Sequence, residues 1–142
     1  MRSRVAAVGL GVTLTLVPVL QGRQSEPCQK EWEGQRLADS LYNVNLMVKL
    51  LGRLKGSEDP KLKKLLELNL QWAAHNAVDA VGHGAVLASP YLAVNFLHGV
   101  RDAQQYVAAH QMEVAPAPPG DATPTPVGED LVVLGAWLEK RK

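Results

Sequence analysis

Beyond residue 28 the apolar positions of this chain fall at helical spacing. Leu37, Leu41, Val44, Val48 and Leu51 recur at steps of four and three and draw one stripe, which Ala38, Met47 and Leu50 widen. The spacing predicts a first helix over roughly 28–54, ended by Gly52 and Lys55-Gly56-Ser57. Asp59-Pro60 then supplies an N-cap and a proline at the first helical position, where its missing N–H costs nothing. Leu62, Leu65, Leu66, Asn69, Trp72, Ala73, Asn76, Ala77 and Ala80 follow at the same period, with the apolar face centred on Leu62, Leu66, Ala73 and Ala80. Ser89-Pro90 opens a third helix by the same grammar. Its stripe is Leu92, Phe96, Val100, Ala103 and Val107, running out near His110 or Met112.

From Val114 to Gly128 the pattern stops. Five prolines in VAPAPPGDATPTPVG exclude a helix or a central strand, so the segment reads as an extended linker. After it, Leu131, Leu134 and Leu138 share one face of a short helix with basic residues at its end. Val132-Val133-Leu134 leaves a strand as the alternative there. The expected fold is all-α: a small antiparallel bundle over 26–112 of three main helices, a linker over 113–128, and a short C-terminal helix over 129–142. The short breaks at 55–58 and 84–89 favour antiparallel neighbours.

The first 25 residues follow another pattern. Arg2 and Arg4 precede an uncharged, mostly apolar run from Val5 to Leu20, and polar residues follow. That is the layout of a secretory signal, cleaved or retained as an anchor, and it implies an exported protein: periplasmic, secreted, or held at a membrane through residues 5–20. The cleavage site is poor, because cutting after Gly22 leaves Leu20 where a small residue belongs. A buried N-terminal helix is the alternative. A second stretch, Ala80 to Val100, carries no Asp, Glu, Lys or Arg. Its load of Gly82, His83, Gly84, Ser89, Pro90, Asn95 and His98 reads as the packed turn of a helical hairpin, with a membrane-apposed hairpin as the alternative.

Composition changes this picture little. The 142 residues suit one ordinary domain, and 46% hydrophobic against 20% charged residues fits a folded chain. A net charge of +1 offers no basic excess for nucleic acid, so none is expected as a partner. Cys28 is the only cysteine, which excludes an intrachain disulfide and leaves a free thiol or an intermolecular disulfide.

Candidate chemistry rests on the histidines. In HNAVDAVGH, His75, Asp79 and His83 stand four residues apart. Spread over two turns of one helix, the outer pair would be about 12 Å apart, too far to share one ion. The plain reading is a solvated His75–Asp79 pair with His83 at a helix end. The sharper one uses the hairpin: His83 and His98 flank the turn equally and could converge on a divalent metal, with Asp79 or Asp102 supplying oxygen. No phosphate loop, nucleophile elbow or H-E-x-x-H occurs, so no catalytic residue and no other cofactor is expected. Lys61, Lys63 and Lys64 read as a solvated face. Trp32, Trp72 and Trp137 read as core or interface packing. The functional expectation is a non-catalytic helical protein that works by binding a protein partner or a second copy of itself. An envelope metal- or ligand-binding bundle and a membrane-anchored accessory protein are the alternatives.

Overall fold

The computed structural model describes residues 2–54, 59–114, 116, 120 and 125–142, with side-chain surroundings from Pro27 onward. The chain divides into two compact units, Met1–Trp32 and Glu33–Lys142. The first belongs to helix α1 (Arg2–Leu54), which begins far earlier than its apolar stripe. The side chains of 5–20, on which the signal or anchor reading rests, lie outside the described residues. Among the described residues no helix is long and apolar enough to cross a membrane. The charge-free stretch 80–100 is the end of one helix, a turn and the start of the next.

The second unit is an all-α bundle. Residues 33–54 of α1 are followed by α2 (Pro60–Gly82), α3 (Pro90–Ala109) and α4 (Val127–Glu139), with no strand among the described residues. The alternative of a strand at 132–134 is therefore not taken. Asp59 caps α2 as its sequence implies, its carboxylate accepting from the Lys61 amide at 2.9 Å, with Pro60 at the first position. Ser89 differs. Its side chain makes no capping bond, and α3 starts instead on the fixed φ of Pro90 and the Ser89 carbonyl, which accepts from the Leu92 amide.

Cross-helix contacts set the directions. Arg36 of α1 meets Asp79 near the end of α2, and Glu67 early in α2 meets Tyr106 near the end of α3, so both successive pairs run antiparallel. Gly34 lies against the Val86 carbonyl and Asn45 against Gly99, which runs α1 and α3 in the same direction. The linker does not hold α4 away from the bundle. α4 packs along α3, antiparallel to it, and also against α2. Its Leu131, Leu134 and Leu138 are fully buried, each contributing about 1.5–3 kcal/mol through lost water contact.

The α1 stripe Leu37, Leu41, Val44, Val48 and Leu51 is buried throughout, as its spacing implies. The α2 stripe splits in two. Leu66, Leu70, Ala73, Ala74, Ala77 and Ala80 form its inner face, whereas Leu62, Leu65 and Trp72 are exposed. Leu62 shares the angle of the inner face but stands in the first turn of α2, where the helix end is open to water; Leu65 and Trp72, seven residues apart, lie on a strip turned away from that face.

Candidate functional site

The residues singled out for metal chemistry are not gathered into one group of ligands among the described residues. His83 is the C-cap residue of α2, and its amide donates to Asp79 and Ala80 carbonyls. Its ring turns back onto its own helix, with Nδ1 2.8 Å from the Asp79 carbonyl oxygen and 3.6 Å from Oδ1 of that residue. Asp79 is engaged elsewhere, since its Oδ2 accepts from the Arg36 guanidinium at 2.5 Å. His98 and Asp102 are exposed on α3 and make no ion pair among the described residues. No group of three or more His, Cys, Asp or Glu among the described residues is placed to hold a metal ion. Cys28 is a free, exposed thiol on α1.

Arg36 anchors the α1–α2 seam. It is 3.3 Å from Glu33, one turn earlier, whose carboxylate is buried. The guanidinium fork thus serves one buried and one half-exposed carboxylate across two helices, a geometry that suits Arg better than Lys.

His75 does not form the solvated pair with Asp79 that its spacing allows. Its Nδ1 lies 3.6 Å from Oδ2 of Asp130, in the first turn of α4. Asp130 is almost fully buried. Burial pushes its carboxyl above the usual range; His75 opposes this, and Glu129 beside it adds to the rise. The early position of Asp130 in α4 also places the carboxylate at the positive end of the helix dipole. The sequence carried a signal for this contact, an acidic first turn after Pro126, but nothing in α2 named the receiving residue.

At the opposite end Tyr106 donates to Glu67 at 2.8 Å and stacks on His110, ring centroids 4.1 Å apart. Burial, and then the Glu67 carboxylate accepting its proton, raise the Tyr106 phenol well above its ordinary value. Beside this pair the Gln71 side chain donates to the Glu113 carbonyl, tying the start of the linker onto α2. A hollow of about 340 Å³ opens there between Lys63, Lys64 and Glu67 on one side and Glu113 and Val114 on the other. Its charges are mutually paired, Lys63 with Glu67 and Lys64 with Glu113, which leaves it no net preference for an ion.

Large apolar side chains also face water on α1 and α2. Tyr42 and Leu46 of α1 are 62% and 37% exposed, and Leu65 and Trp72 of the antiparallel neighbour α2 are 54% and 38% exposed. Scattered single apolar residues need no explanation; these four are large side chains on two neighbouring helices. Trp72 is thus an outward residue and not part of the core, whereas Trp137 is half-buried under the Arg141 guanidinium, 3.8 Å from the ring centre. Leu65 and Trp72 stand seven residues apart, a spacing that places them on one strip of α2. No protein-family model, no curated protein and no solved structure matches the chain.

Proposed function

We propose that this chain is an exported, non-catalytic helical protein that works by holding another protein against the outer faces of α1 and α2. The observation that carries the reading is the exposed set Tyr42, Leu46, Leu62, Leu65 and Trp72, large apolar side chains left facing water by a bundle whose core is otherwise filled. A helix laid into such a surface gains area at little ordering cost, because both helices beneath it are rigid. Export is supported by the charged start Arg2 and Arg4 and the apolar run 5–20, and a free exposed Cys28 suits a disulfide to a second chain in an oxidising compartment.

The test is a photo-crosslinking amino acid placed in turn at Tyr42, Leu65 and Gln105 of the full chain, in the cells that make it. Discrete adducts at positions 42 and 65, with none at the polar α3 position 105, are expected. Equal labelling of all three positions, or no adduct at any, would remove the reading.

A further inference from the structure

The exposed side of α1 is self-complementary. Gln35, Asp39, Tyr42, Leu46, Lys49 and Arg53 stand at steps of four, three, four, three and four, which is the spacing of a seam between two helices. Gln35, Asp39, Tyr42, Leu46, Lys49 and Arg53 are all exposed, while the alternate set Leu37, Leu41, Val44 and Val48 is consumed by the core. The outer strip has an acidic, polar start, an apolar middle and a basic end. Gln35 and Asp39 are joined to each other by a hydrogen bond of 2.8 Å. Lys49 and Arg53 have no ion-pair partner among the described residues, whereas Arg36, Lys63, Lys64 and Arg101 each have one.

We infer that the occupant of this strip is a second copy of the chain, bound antiparallel about a twofold axis passing beside Val44. In that arrangement Tyr42 lies opposite the partner's Leu46, Asp39 opposite the partner's Lys49, and Gln35 opposite the partner's Arg53. Twofold symmetry repeats every one of these pairs. The parallel alternative is disfavoured by the same residues, because it stacks Asp39 on its own copy and Lys49 and Arg53 on theirs. Leu65 and Trp72 on the neighbouring α2 are exposed as well. This inference rests on the reading of the chain as an interaction module and names its partner.

Sedimentation of the full chain, carrying Cys28→Ser so that no disulfide contributes, tests it at low salt over about 1–100 μM. A reversible dimer is expected. Asp39→Lys and Lys49→Asp each place two like-charge contacts in every dimer, and each should raise the dissociation constant about tenfold or more. The double variant Asp39→Lys, Lys49→Asp restores opposite charges and should recover most of the affinity. All these residues are exposed, so helix content by circular dichroism should stay constant through the series. A monomer throughout the range, or a dimer that ignores the single changes, or a double variant no tighter than the singles, overturns the inference. A monomer that still yields crosslinks to a different protein at 42 and 65 would sink self-pairing and leave the interaction module standing.

Discussion

Asp130 and His75 face each other at 3.6 Å across the α2–α4 contact, the carboxylate buried and the imidazole half-buried. They join the last helix to the bundle at the point where the linker delivers it. The carboxyl is nevertheless held above its ordinary range, because burial outweighs the help from His75. A raised folded-state value means that the folded protein binds the proton more tightly than the unfolded chain does. Asp130 therefore contributes stability below the ordinary carboxylate range, and that contribution is lost as pH rises through the folded value.

The sign of the Asp130→Asn effect follows. An amide keeps the shape and removes the buried charge, so the variant should melt higher than the parent at pH 7. The gap should close as pH falls to about 3, where the parent carboxyl is protonated too. Thermal melts of both proteins across that range check it. A variant that melts lower at pH 7 would mean that the His75 contact outweighs the burial.

Arg36 should matter more than either of its partners. Arg36→Ala strands the Glu33 carboxylate in the core and frees Asp79, and a loss of about 2–3 kcal/mol is expected. Asp79→Ala leaves the Arg36–Glu33 pair intact, and half-exposed Asp79 is well screened, so a loss under about 1 kcal/mol is expected. Urea unfolding of the two variants gives the order directly.

Much of the fold is legible in the residue spacing, and the limits have physical causes. The α1 stripe, the Asp59-Pro60 start and the Leu131–Leu134–Leu138 face each combine period with a local signal, and the structure keeps all three. Where two apolar strips lie side by side, as on α2, periodicity alone does not say which one the core takes. That choice depends on which neighbours the helix meets, a property of the assembled bundle. Ser89 has the residue type and the extended backbone of a cap, yet its side chain makes no capping bond. His75 and Asp79 had the right spacing for a local pair, yet each found a stronger partner on another helix. The cross-bundle contacts His75–Asp130 and Arg36–Asp79 replace the His75–Asp79 pair, while Asp79 keeps an i, i+4 contact with His83. On α1 the strong apolar period belongs to the buried stripe, and the outer strip is mostly polar.

The docking of α4 should be cooperative with the rest of the bundle. Leu134 is fully buried between α4 and the body, so Leu134→Ala removes apolar contact and leaves a cavity, at a cost of about 2–5 kcal/mol. One unfolding transition at lower denaturant, seen equally by far-ultraviolet circular dichroism and by tryptophan fluorescence, is expected. A separate early transition in Trp137 fluorescence would instead mean that α4 detaches while the other helices persist.

Two glycines of α1 should respond in opposite directions to the same change. Glycine inside a helix costs roughly 0.5–1 kcal/mol relative to alanine, because the unfolded chain has more freedom to lose. Gly52 has nothing within 4 Å of where a methyl group would go, so Gly52→Ala should gain about that amount. Gly34 faces the Val86 carbonyl oxygen, 2.9 Å from the site of a Cβ, and a backbone oxygen in the turn before α3 cannot swing aside as a side chain does. Gly34→Ala must push α1 away from that turn, and a net loss of about 1–3 kcal/mol is expected. Urea midpoints for the pair separate helix propensity from packing: propensity alone would shift both upward, and only a close approach of α1 to the α2–α3 turn shifts Gly34→Ala down.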